Sequence, residues 1–62
     1  MRNFYLSNEW VTESDGSEAW AIIEKLDNKD DYLYQIGFKD KAEAEATLKR
    51  VIAKRRDTVW IK

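Results

Sequence analysis

The stretch "YQIGFKDKAEAEATLKRVIAKRR", residues 34–56, changes its hydrophobic period partway along. Up to Phe38 it is aromatic and β-branched, as a strand is, and Gly37 sits near the break. From Asp40 onward Ala44, Leu48, Val51 and Ile52 fall on one stripe at helical spacing, and neither Gly nor Pro interrupts through Arg56. Asp40 is placed to cap that helix, with Glu43 three residues on completing an Asp version of the capping box. A strand followed at once by a capped amphipathic helix is predicted, and the helix ends in a basic cluster.

Working outward from this junction, "YLYQIGF" (32–38) is preceded by the polar turn "DNKDD" (27–31) and by a second strand, "AWAIIEKL" (19–26). Asn3 to Thr12 form a further strand, and Asp15-Gly16 is a dipeptide suited to a tight hairpin turn in which both central residues take positive φ. Beyond the helix, Thr58 to Lys62 ("TVWIK") read as a short closing strand. The order is βββαβ. Residues 1–62 are expected to make a single α+β domain: a three-stranded antiparallel sheet packed on one helix, with a short C-terminal fourth strand.

A chain of 62 residues has a thin core, and with no Cys and no His it has neither disulfides nor thiolate or imidazole metal ligands to reinforce it. Association is the remaining route. The 44% hydrophobic content, with three Trp, three Tyr and two Phe, is far above that of chains that stay disordered. Eleven basic against twelve acidic residues leave a charge of −1, too little to draw the whole molecule onto phosphate or anionic lipid. The opening "MRNFYLSNEW" has no apolar run of signal-sequence type and no segment approaches a membrane span, so a cytoplasmic protein without membrane contact is expected.

Two-residue turns at Asp15-Gly16 and Asn28-Lys29 predict the faces of the sheet. Phe4, Leu6 and Trp10 then share a side with Ala19, Ala21 and Ile23 and with Tyr34, Ile36 and Phe38, beneath Leu48, Val51 and Ile52. The small residues of the central strand give the helix room. Tyr5, Val11, Trp20, Ile22, Leu26 and Leu33 fall on the opposite, uncovered side, with Gly37 across from Trp20. Such a bare aromatic patch is the mark of a contact site, and Trp20, Ile22, Val11, Leu33 and Tyr5 are the expected partner-binding residues. The alternative is that Trp20 packs within its own chain, through a register slip or against Trp60, and bulges near Ser7 to Glu9 would also disturb the register.

The basic cluster Lys49, Arg50, Lys54, Arg55 and Arg56 stands at the helix C-terminus, while Asp40, Glu43 and Glu45 stand at its start. Each sign lies where the helix dipole favours it, and Glu45 with Lys49 makes an i,i+4 pair in the better orientation. Phosphate contact by the same five residues is the competing reading, with Lys25, Lys39 and Lys41 as further contributors. "DNKDD" begins like a calcium loop but lacks the Gly at the bend and the closing bidentate Glu. Ser7, Ser14 and Ser17 have no His to activate them, and the two glycines, Gly16 and Gly37, make no phosphate-binding loop. A protein with no catalytic residues, no cofactor and no metal is expected.

The segment from Trp20 to Ile52, "WAIIEKLDNKDDYLYQIGFKDKAEAEATLKRVI", resembles the arm-type, AP2-like DNA-binding domain at the N-terminus of phage and transposon tyrosine integrases, above all in "GFKDKAEAEATL". The resemblance implies a three-stranded sheet on one helix, a phage or mobile-element origin, and DNA contact through the uncovered sheet face. Those domains carry Lys and Arg on that face, whereas Trp20, Ile22 and Leu33 are expected there in this chain, beside Glu24 and Gln35. The strand Thr58 to Lys62 is a further departure. The functional expectation is therefore a non-catalytic interaction protein that binds a protein partner or itself as a homodimer, an inhibitor or adaptor of a host machine. The alternative is a small DNA-binding accessory domain using the basic helix end.

Overall fold

The computed structural model describes residues 2–61. Strands β1 (Arg2–Thr12), β2 (Glu18–Lys25) and β3 (Tyr32–Phe38) are followed by helix α1 (Lys41–Lys54) and strand β4 (Thr58–Trp60). They form one four-stranded sheet in the order β3-β2-β1-β4, with β1–β2 and β2–β3 antiparallel and β1–β4 parallel. This is the α+β architecture the sequence predicts. Lys62, the last residue of the expected fourth strand, lies outside the described residues.

Helix α1 starts where its cap dictates. Asp40, in extended backbone, accepts a hydrogen bond from the Glu43 N–H at 2.8 Å. The Glu43 carboxylate accepts one from the N–H of Lys39 at 3.4 Å, one residue earlier than in the usual reciprocal box. At the other end Arg55 leaves the helical conformation while its N–H still reaches the Ile52 carbonyl. Ala44 and Leu48 are buried on the face turned to the sheet, with Val51 and Ile52 half-buried beside them.

The sheet side beneath that helix is made of different β2 residues from those the sequence predicts. Phe4, Ile22, Phe38, Ala44 and Leu48 form the buried core, and Leu6, Trp20, Tyr34, Val51, Ile52 and Trp60 pack around it. Ala19, Ala21 and Ile23 lie on the reverse side, across from Val11, Ser7 and Tyr5 respectively. The cause is one residue of turn. The Glu13 N–H donates to the Ser17 carbonyl and the Gly16 N–H to the Glu13 carbonyl, closing a three-residue loop rather than a two-residue one. Gly16 alone takes positive φ there, at 88°, and Asp15 braces the loop by accepting from both the N–H and the hydroxyl of Ser17. Those two bonds hold the Asp15 carboxyl below its ordinary pKa. A slip of one residue exchanges the faces of a whole strand, and here it carries Trp20 and Ile22 under the helix.

An irregularity between Ser7 and Val11 adds two residues to β1 relative to β2, so it bends the strand without reversing its faces again. The second turn also departs by one residue from a two-residue Asn28-Lys29 turn, setting Tyr32 across from Glu24 and Leu33 across from Ile23, and two irregularities in β3 then bring Phe38, not Gly37, across from Trp20. Gly37 takes φ of 98° at this bend, a region that side-chain-bearing residues rarely enter.

Candidate interaction surface

Where β4 pairs with β1, Trp60 lies beside Phe4, so Trp60 faces the helix and its neighbours Val59 and Ile61 face the other way. With Tyr5, Val11, Ile23 and Leu33 they make the reverse side of the sheet, over which no second layer lies among the described residues. Three of the five residues expected on the uncovered side are there: Tyr5, Val11 and Leu33. Trp20 and Ile22 are not. Ile22 is fully buried under the helix, and Trp20 is half-buried with Lys41 Nζ 5.7 Å from its ring centre.

The central strand is nonetheless closed to water on this side: Ala19, Ala21 and Ile23 are 1%, 0% and 0% exposed. Ala19 and Ala21 leave a trough there, and the Tyr5 side chain reaches across the strand. The Tyr5 hydroxyl donates at 2.6 Å to Asp31 Oδ2. Since β2 separates β1 from the β2–β3 turn, the ring of Tyr5 must cross the central strand to reach it. The Trp10 side chain, from the irregular part of β1, lies near enough to this hydroxyl to affect its ionisation. The surface that meets water is thus Tyr5, Trp10, Val11, Leu33, Val59 and Ile61, with Lys25 and Asp31 at one margin.

Burial first, and the bond to Asp31 second, push the Tyr5 phenol up to about 12, while the Trp10 contact works in the opposite sense. Folding therefore holds this proton more tightly than the unfolded chain does. The associated stability is complete below pH about 10 and is lost as pH rises from there towards 12. Ultraviolet titration should show one of the three tyrosines ionising only near pH 12, and that step should vanish in Tyr5→Phe. A Tyr5→Phe titration identical to that of the parent chain would contradict the buried bond.

On the helix side a second polar contact crosses the sheet. The Arg2 guanidinium donates two bonds of 2.8 Å to the Glu24 carboxylate, and it lies 5.2 Å from the ring centre of Phe4 and 5.7 Å from that of Tyr34. Arg2 holds the 8%-exposed Glu24 carboxyl below its usual pKa against the opposing effect of burial. Neither Arg2–Glu24 nor Tyr5–Asp31 has a sequence signal, because each joins residues more than twenty positions apart.

The five basic residues at the end of α1 are exposed, and the guanidinium of Arg55 donates to the Tyr34 hydroxyl at 3.4 Å. Among the described residues none of the five makes a salt bridge. Lys39 and Lys41 stand at the opposite end of the helix, Lys41 about 20 Å from Lys54 and about 12 Å from Lys49 at 1.5 Å per residue, and Lys25 ends β2 on the reverse side. Lys39 does not join the cluster, whereas Lys25 and Lys41 line one groove with its member Lys49. Beside α1, Leu6, Trp20 and Trp60 line a groove with Lys41, Glu45 and Lys49. Among the described residues no group of three Asp or Glu side chains is placed to hold a metal ion, and no helix is long and apolar enough to cross a membrane.

Comparison with protein-family models, with curated proteins and with solved structures finds no match to this chain.

Proposed function

We propose that the chain is a non-catalytic interaction protein that docks onto another protein through the reverse side of its sheet, as a small phage- or mobile-element-encoded inhibitor or adaptor would. The single observation that carries this reading is the uncovered layer itself. Leu33, Val59 and Ile61 are 37%, 38% and 38% exposed and Trp10 is 45% exposed, on a side where no helix or strand packs among the described residues. Apolar groups grouped in this way gain by leaving water, and an aromatic anchor bordered by polar groups is a common centre of protein contacts. Tyr5 and Trp10 take the central role that the sequence reading gives to Trp20. The Tyr5–Asp31 hydrogen bond fixes the Tyr5 ring before any partner arrives, which lowers the ordering cost of binding.

A second reading draws on a separate observation, the five exposed cations without a salt bridge among the described residues. It is the integrase-arm type of role, with Lys49, Arg50, Lys54, Arg55 and Arg56 on phosphates. One experiment separates the two. The tagged chain is used as bait in extract from its native host, beside a Leu33→Asp/Val59→Asp bait and an Arg55→Ala/Arg56→Ala bait, each first shown folded by circular dichroism. Sheet-face docking predicts that the aspartate pair loses the captured protein and that the capture holds as salt rises. Loss with the alanine pair, together with duplex DNA binding that falls steeply with salt, would replace the first reading by the second.

A further inference from the structure

We propose that β3 pairs antiparallel with the β3 of a second copy of this chain, about a two-fold axis at Gln35, joining two four-stranded sheets into one. This surface is the rim of the sheet and does not depend on the docking role of its reverse side. The strand order leaves β3 outermost, so the backbone N–H and C=O groups it does not spend on β2 have no strand beyond them among the described residues.

Protein edges of this kind are ordinarily guarded by charge, Lys above all. Here the whole strand, Tyr32 to Phe38, carries none, in a chain 37% of whose residues are charged. Tyr32 and Ile36 on it are 56% and 51% exposed. The irregularities opposite β2 and the bend at Gly37 curve this rim. Curvature disfavours long, indiscriminate pairing and leaves room for a short pairing of defined register.

The charges that flank the strand select the occupant. Asp31 immediately precedes it and Lys39 immediately follows it, and beyond Lys39 the chain turns away at Asp40 into the cap of α1, which keeps Asp30 and Asp40 from pairing. Antiparallel pairing centred on Gln35 sets Asp31 of each chain across from Lys39 of the other. Inside that frame Tyr32 meets Phe38, Tyr34 meets Ile36, and Leu33 lies over Gly37, the aromatic and branched pairings that stabilise adjacent strands. Parallel pairing in register would instead oppose like charges. The arrangement is self-complementary, as a two-fold contact requires. With the axis normal to the sheet, both helices stand on one side and both reverse faces merge on the other, so pairing doubles the apolar surface offered to a partner.

The test uses the intact chain and light scattering. Mass is expected to rise from 7.4 kDa towards twice that value with concentration. Lys39→Asp alone and Asp31→Lys alone should each stay at the monomer mass, while an equimolar mixture of the two should dimerise, because only the mixed pair opposes unlike charges at both ends. Since the chain has no cysteine, a single Gln35→Cys thiol should oxidise to a covalent dimer. Circular dichroism checks that Asp31→Lys, which gives up the Tyr5 bond, still folds. If it does not, the Lys39→Asp and Gln35→Cys results decide. A wild-type mass that never leaves 7.4 kDa overturns the proposal. So does a dimer that survives Lys39→Asp, forms no Gln35→Cys disulfide and is lost instead in Val11→Asp, which would place the contact on the sheet faces.

Discussion

Phe4→Ala is expected to leave the chain largely unfolded at room temperature. Phe4 is 0% exposed and stands between Glu24 of β2 and Trp60 of β4, so its ring occupies the middle of the sheet rather than a margin. It meets Tyr34 edge-on, with ring centres 4.9 Å apart and planes at 67°, and it lies in the same cluster as Ile22 and Leu48. Removing a buried Phe side chain costs about 3–5 kcal/mol once the cavity is counted. A domain of 62 residues has roughly 3–9 kcal/mol in total. The variant should therefore lack a cooperative thermal transition, or show one lowered by on the order of 20 °C. Leu33→Ala, on the uncovered side and 37% exposed, should cost less than about 1 kcal/mol in the same urea titration. Equal losses in the two variants would mean that the core is not centred on Phe4.

Trp20→Ala is expected to destabilise the fold by about 2–3 kcal/mol, less than a fully buried aromatic because one part of the ring remains in water. The indole packs against the core beside Phe38 and carries Lys41 over its face. If the hairpin had the two-residue turn that Asp15-Gly16 suggests, the same residue would face solvent, and its loss would abolish association while leaving stability unchanged. A chemical-denaturation midpoint indistinguishable from that of the parent chain would support that other register and contradict the one described.

These two variants mark the boundary of what is legible in the chain. The strand Tyr32–Phe38 and the Asp40 cap are plain in the sequence, because a change of hydrophobic period and a capping residue act over a few positions. The face of β2 is not. Gly16 at positive φ suits a two-residue turn and equally the last position of a three-residue one, so the local letters do not choose between them, and it is the Glu13–Ser17 backbone pairing that fixes the longer loop. One residue of difference then exchanges Trp20 and Ile22 with Ala19, Ala21 and Ile23. The uncovered side keeps its apolar character through this exchange because both faces of β2 are apolar, so the partner-binding proposal survives with Tyr5 and Trp10 in place of Trp20. The closing of that face by Tyr5 on Asp31 depends on residues brought together only when three strands are assembled.

Which side of the central strand the helix covers is read most directly from nuclear Overhauser contacts to the Leu48 methyl groups in the free protein. Contacts from Ile22 and Phe4 to Leu48, with none from Ile23, are the expected result. Contacts from Ile23 and Ala21 to Leu48, with Ile22 silent, would put Trp20 back on the open side and contradict the arrangement on which the proposed docking surface is built.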